Sequence, residues 1–299
     1  MSKDKTPVCD YEGSDYQERF WDTGEREYEH RVEQVALARL LPKSGMKLLE
    51  VGAGAGRNTP HYGGFRQISL LDYSITQLRQ AQARLGVDPR FLYVAADVYR
   101  MPFAPGVFDA ATMIRTLHHM VAPQEALREV RATLAPGAAF ILEYANKRNL
   151  KAIVRWILRR QDWNPFDHQA IEFASLNFNF HPVAIRDSLR STGFILEQQL
   201  SVSHFRLNLL KRLVPTGLLV GMDSLFQWTG NWWQYTPSIF ALATAVGSEP
   251  AHSAETFWRC PACFSIDVIS DERGVRCKSC ERLWPLVDGV YDFKDPIDP

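Results

Sequence analysis

Three glycines stand at alternate positions in Glu50-Val51-Gly52-Ala53-Gly54-Ala55-Gly56, directly after a short apolar run. Glycine lets the backbone turn tightly and lets a ligand approach without a Cβ in the way, so a loop of this kind between a strand and a helix can cradle a nucleotide. The spacing differs from the dinucleotide fingerprint, whose third glycine or alanine would fall at position 57, where this chain has Arg57. Asp72 ends the next apolar run, 18 residues past Gly54. A carboxylate there can accept hydrogen bonds from both hydroxyls of a ribose. Asp97 follows the third run, where it can hold an adenine amino group. Taken singly, each acid equally fits a solvated loop charge or a helix cap. Taken together, the three features fall at three consecutive strand ends, where ligands bind in open α/β sheets.

A second constellation lies near the C-terminus. Cys260-Pro261-Ala262-Cys263 and Cys277-Lys278-Ser279-Cys280 offer four thiolates, with thirteen residues between the pairs. A hairpin through Asp271-Glu272-Arg273-Gly274 would close that gap and bring two knuckles together as a tetrahedral all-cysteine zinc site. Such a site has no open position, so the metal is expected to be structural. Two disulfides or a redox pair are the alternative, and a reducing compartment favours metal. Cys9 stands apart from both pairs.

Two further stretches bear on a substrate. Lys147, Arg148, Lys151, Arg155, Arg159 and Arg160 cluster after the fifth apolar run. Lys151, Arg155 and Arg159 recur every four residues and so share one helical face, either a solvated face or an anion site. The stretch His204 to Pro237 is rich in leucine, carries Trp228, Trp232 and Trp233, and contains a single acid, Asp223. It reads as core, as a domain interface, as an apolar pocket, or as a dock for the cysteine-rich end.

The elements that must position these residues follow from alternating short β-rich runs and helical patterns, the signature of a parallel sheet covered by helices. An amphipathic helix is expected over Glu25–Leu41, with Val32, Val35, Ala36 and Leu40 on one face. Strands are expected at Lys47–Val51, Ile68–Leu71, Phe91–Ala95, Phe108–Ile114, Ala138–Glu143, Phe194–Val202 and Ser238–Val246. Helices are expected at Gly54–Tyr62, Ile75–Leu85, Pro123–Leu134 and Val183–Ser191. A catalytic domain over 1–246, a small polar linker over 247–256 and a ribbon domain over 257–299 follow from the change in composition. Hydrophobic residues make up 46% and charged residues 23%, ordinary for a globular chain, and the 34 basic and 34 acidic residues cancel. That balance gives no global field for nucleic acid. The N-terminal ten residues lack the apolar core of a signal peptide, and no apolar run reaches spanning length, so a cytoplasmic protein is expected.

Leu48 to Asn58 resembles motif I of class I S-adenosylmethionine-dependent methyltransferases of the ubiquinone/menaquinone type. Leu71-Asp72-Tyr73-Ser74, Ala96-Asp97-Val98, Met101-Pro102-Phe103, the segment Met113 to Met120 and Leu134-Ala135-Pro136-Gly137 resemble the later motifs in order. The resemblance covers roughly Leu48 to Glu143. It implies a doubly wound, seven-stranded Rossmann-like sheet with an antiparallel last strand. It further implies that Gly52, Gly54 and Gly56 line the methionine part of S-adenosylmethionine, Asp72 the ribose, and Asp97 with Val98 the adenine. Glu50, Ala53, Asn58, Tyr73 and Arg115 are implied as further cofactor-binding residues. Tyr16, Phe20 and Trp21 could close over the cofactor as a lid, or simply staple the first helix. The segment Trp258 to Phe293 is similar to the zinc-ribbon activator subunit of tRNA, rRNA and release-factor methyltransferases, here fused to the enzyme and expected to pack on it.

A sulfonium is already an activated methyl donor, so alignment and exclusion of water are the main tasks, and a base is needed only where the acceptor must lose a proton. Arg115, His118, His119 and Tyr144 are the catalytic candidates, with Glu143 and Asn146 nearby. The acceptor is expected to be a small or lipophilic molecule. RNA or a translation factor is the alternative suggested by the ribbon, and a non-catalytic cofactor-binding scaffold is a third.

Overall fold

The computed structural model describes residues 6–10, 12–13, 26–86, 88–247 and 256–297. The expected lid residues Tyr16, Phe20 and Trp21, and most of the expected linker, lie outside the described residues.

Seven strands form the frame: β1 (Gly45–Val51), β2 (Phe65–Asp72), β3 (Phe91–Ala95), β4 (Phe108–Met113), β5 (Leu134–Ala145), β8 (Phe194–Val202) and β9 (Ser238–Ala245). A small hairpin, β6 (Ile171–Ala174) with β7 (Asn177–Asn179), stands outside this sheet. The order is β3-β2-β1-β4-β5-β9-β8, parallel except that β9 runs antiparallel to both β5 and β8. Leu48 and Leu70 face one side and Leu49 and Leu71 the other, which is why these strands read as continuous apolar runs. Helices α1 (Glu27–Leu40) and α2 (Ile75–Leu85) cover the first face, α1 through Tyr28, Val32, Ala36, Leu37 and Leu40. Helices α3 (Pro123–Thr133) and α5 (Pro182–Ser191) cover the second, with Leu127, Val130, Ile185 and Leu189 inward. Helix α4 (Leu150–Ile157) follows β5 and keeps only Ala152 buried.

Three expectations need correction. The helix expected over 54–62 is only a 3-10 turn, Thr59–Tyr62, because Pro60 lacks an N–H and Gly63-Gly64 stop it. Pro136-Gly137 does not precede the fifth strand but lies within it, next to a register shift between Phe108 and Ala110. Arg159 does not continue the basic helix; it sits past its end at φ 54°.

The cysteine-rich end folds into β10 (Val268–Asp271), β11 (Gly274–Cys277), β12 (Leu283–Val287) and β13 (Val290–Asp292), an antiparallel meander. Strand β13 pairs parallel with β3, Tyr291 opposite Val94, so the ribbon extends the catalytic sheet to eleven strands. Trp258 stacks on Phe103 at 5.6 Å between ring centroids, and Arg259 donates to Met101 O and to Glu129, 2.9 and 2.6 Å. The ribbon thereby covers an edge strand that would otherwise offer free backbone groups.

The insert forms α6 (Asn208–Leu213), α7 (Thr216–Phe226) and a 3-10 turn over Gln227–Asn231. It docks on α1, not on the ribbon: Arg39 donates to Ser224 O and to Gln227, 2.6 and 2.9 Å, and Gln227 donates to Val32 O at 3.0 Å. Among the described residues no helix is long and apolar enough to cross a membrane.

Candidate functional site

A cleft opens at the carboxyl ends of β1, β2 and β4, walled by Gly52, Ala53, Gly54, Asn58, Asp72, Tyr73 and His119, among others. The glycine loop is fixed to β2 by Gly52 and Ala53 N–H groups that both donate to Leu71 O, at 2.8 and 3.0 Å. Gly52 adopts φ 69°, and a Cβ there would strike the Thr116 side chain, so both backbone and space demand glycine. Asp72 accepts the Gly54 N–H on Oδ2 at 2.8 Å and the Ser74 N–H on Oδ1 at 2.9 Å. Burial nevertheless raises its carboxyl above the usual range, against the pull of those backbone donors. Each oxygen keeps lone-pair capacity for a further donor, such as a ribose hydroxyl.

Of the other sequence candidates, Glu50, Gly56, Asp97 and Val98 do not line this cleft, whereas Tyr73 does. Glu50 is buried beneath the loop and accepts from Thr59 and Tyr62, 2.6 and 3.3 Å; burial pushes its carboxyl to about 7. Gly56 turns away and packs on Ala81 and Leu85 of α2. Asp97 accepts from the Tyr99 N–H at 2.9 Å and caps the short turn Val98–Arg100, while Val98 is buried in the core. Tyr73 is on the wall, and the ribbon's Lys294 ammonium sits 5.0 Å from its ring centroid. The ribbon end therefore reaches the rim of the cleft.

The catalytic candidates separate more sharply. Arg115, at φ 58°, gives its guanidinium to Glu33 of α1, and its N–H donates to Glu143 at 3.0 Å. Arg57 donates to the same Glu33 at 3.0 Å and to His30 Nδ1 at 2.7 Å. Burial alone would raise the Glu33 carboxyl, but the Arg115 and Arg57 guanidiniums outweigh it and hold the group below its usual value. Arg115 thus braces the loop against α1. His118 is depressed well below the ordinary imidazole range by burial, with His119 and Arg115 adding to it, so it is neutral near pH 7. His119 lines the cleft and its Nδ1 meets Leu176 O at 3.1 Å. Tyr144 does not reach the cleft: it is fully buried in the core, where its hydroxyl accepts from Gln199 at 3.1 Å. Sequence reasoning missed Glu33, whose signal was an acid on the buried face of an amphipathic helix.

Cys260, Cys263, Cys277 and Cys280 converge, with all four sulfurs within 4.8 Å of one another. Cys260 lies 3.6 Å from Cys280 and Cys263 lies 3.5 Å from Cys277, each close pair joining the two knuckles. A tetrahedron of zinc–sulfur bonds of about 2.3 Å has edges of about 3.8 Å, so the donor set and spacing suit zinc.

A second and larger cavity, about 830 Å³, lies between α4 and the insert. His204 stands on its wall just past β8, with Nδ1 3.2 Å from Asp223 Oδ2. Asp223 is fully buried and also accepts the Tyr28 hydroxyl at 2.7 Å and the Gln227 amide at 3.3 Å. Burial and the neighbouring Asp223 carboxylate push the Tyr28 phenol far up, so it remains a donor. The contact with the Asp223 carboxylate orients the His204 ring on the cavity wall. Arg206 lines the same cavity, and burial lowers its guanidinium's affinity for its proton, with the Arg115 charge adding to that.

Residues 49–142 match the family described as a methyltransferase domain. Cycloartenol-C-24-methyltransferase 1 of Oryza sativa subsp. japonica is 32% identical over 120 residues, 38% of this chain and 35% of that protein. The ubiquinone/menaquinone biosynthesis C-methyltransferase UbiE of Roseobacter denitrificans is 30% identical over 129 residues, 40% of this chain and 51% of that protein. The chain thus spans about a third to a half of the length of these curated relatives. Among solved structures, a chain from a Haloferax volcanii complex containing the Trm112 methyltransferase activator aligns with TM-score 0.55 and 16% identity, over 79% of this chain and 96% of that one. The fold is the α/β Rossmann-like methyltransferase fold with a central mixed sheet.

Proposed function

We propose that this protein is an S-adenosylmethionine-dependent methyltransferase whose acceptor is a small lipophilic molecule, with a structural zinc in the C-terminal ribbon. The observation that carries the cofactor reading is the Asp72 carboxylate at the end of β2, held at one oxygen by the Gly54 N–H of the glycine loop. The relatives' names, a sterol and a quinone methyltransferase, agree with it. When bound, the cofactor supplies a methyl group already activated on sulfur. This chain's residues then have to seat it, exclude water and hold a proton. The glycine loop leaves room for the methionine end, and Asp72 and Tyr73 flank the ribose. His204, oriented by Asp223, takes the proton of an acceptor hydroxyl or acidic carbon bound in the larger cavity, a role closed to the core-buried Tyr144.

Titration calorimetry of the full chain with S-adenosylmethionine tests the cofactor reading. Asp72→Asn should weaken binding by about ten- to a hundredfold, the worth of a charge-assisted hydrogen bond. Equal affinity in the two proteins would remove Asp72 from the site, and no binding at all would remove the cofactor. An RNA or translation-factor acceptor is a second reading, favoured by the ribbon on β3 and by the activator in the Haloferax complex.

A further inference from the structure

We infer that the cavity between α4 and the insert takes an amphipathic acid, an apolar or aromatic body carrying a carboxylate or phosphate. This deepens the small-molecule reading and rests on it for calling the cavity the acceptor site. At about 830 Å³ the cavity is of the size that buries most of a small organic ligand. Its walls are apolar on both sides: Leu150 and Val154 of α4 with Leu158 at its C-cap, and Leu207, Phe226 and Trp233 from the insert. These side chains are not tucked into the core, since Leu150 and Trp233 are each 63% exposed. An exposed apolar concavity of this kind calls for an apolar occupant.

Charge then narrows the class. Lys151, Arg155, Arg160 and Arg206 all line the same cavity, and no Asp or Glu does. Arg206 is paired with Glu29 at 3.4 Å, whereas Lys151, Arg155 and Arg160 make no ion pair among the described residues. A neutral lipid would leave these three cations without a counter-charge. An RNA backbone would use the cations and leave the apolar walls without a partner. An amphipathic acid satisfies both.

A third observation comes from Ser203, which is fully buried on the cavity wall at φ 70°. Its hydroxyl has no hydrogen-bond partner among the described residues. Buried hydroxyls are ordinarily bonded, so the Ser203 hydroxyl on this wall is open to a polar group of an occupant. The acid thus sits on the α4 cations, and a polar group near the end of β8 meets Ser203 and His204.

The test is tryptophan fluorescence titration, with calorimetry, of the full chain against dodecanoate, dodecyl phosphate and dodecanol below their micellar concentrations. Co-sedimentation with phosphatidylglycerol and phosphatidylcholine vesicles runs alongside. Either acid should bind about tenfold or more tightly than dodecanol, the difference that a charge-assisted pair makes. The double variant Arg155→Gln with Arg160→Gln should erase that preference while dodecanol affinity stays unchanged. Equal binding of acid and alcohol, or no binding of any probe, overturns the inference. So does binding to phosphatidylglycerol vesicles without binding of monomeric acid, which would make the cations a bilayer-facing surface. S-adenosylmethionine affinity, read on the same samples, separates the two ideas. Cofactor binding without acid preference sinks only this inference, and acid preference without cofactor binding supports the cavity while sinking the methyl-transfer reading.

Discussion

His204 and Glu50 are the two side chains whose surroundings make the sharpest residue-scale predictions. His204 gains its orientation from Asp223, which is itself fixed by Tyr28 of α1. Replacing His204 with Asn should lower kcat by roughly two to four orders of magnitude while S-adenosylmethionine affinity is unchanged, if the acceptor loses a proton to this ring. A kcat within a few-fold of wild type would assign the proton elsewhere. Glu50 makes a different prediction. Its folded-state carboxyl is raised to about 7 by burial, against an unfolded value near ~4.3. The stability tied to its proton is therefore present below about pH 4 and lost as pH rises through about 7. Urea unfolding at pH 5 and pH 8 should show wild type losing stability relative to Glu50→Gln, by on the order of 3 kcal/mol. Parallel pH profiles would contradict the assignment. The cleft-lining Gly52, Gly54 and Asp72 were visible in the sequence because their signal is local: residue type at a strand end. His204, Asp223, Glu33 and Arg57 were not, because each acquires meaning only from a partner on another element, as with Tyr28 and Asp223 across 195 positions.

Elements were legible where start, stop and period agreed. Helix α2 spans the expected Ile75–Leu85, because Ser74 caps it by accepting from the Gln77 N–H at 3.2 Å and Gly86 ends it at φ 73°. The expected helix after the glycine loop failed because Pro60, Gly63 and Gly64 outweigh its apolar positions. The pairing of β13 with β3 has no sequence signature, since a short strand does not announce its partner. It yields an element-scale prediction. If zinc holds the two knuckles, and the knuckles hold β13 on β3, then a strong chelator should lower Tm by at least several degrees and raise hydrogen exchange in β3. Metal analysis should find about one zinc per chain. An unchanged Tm with zinc absent would make the cysteine cluster independent of metal.

The whole molecule combines a cleft at the sheet's carboxyl edge, a cavity between α4 and the insert, and a ribbon that covers the β3 edge of the sheet. The methyltransferase core was readable because its strand-end motifs come in fixed order over Leu48 to Glu143. The larger cavity was not readable, because its walls come from two segments, Asn149–Arg160 and Ser201–Pro237, that only the fold brings together. Net charge was equally silent: 34 basic and 34 acidic residues cancel, yet four cations and no acids line the cavity. The most direct measurement is methyl transfer itself. Methyl-labelled S-adenosylmethionine would be incubated with the full chain and an extract of its source cells, and the label partitioned into organic-soluble, RNA and protein fractions. Enzyme-dependent label in the organic-soluble fraction, lost in Asp72→Asn, is the predicted result. Label confined to RNA or protein would contradict the small-molecule acceptor, and no transfer despite cofactor binding would contradict the enzyme.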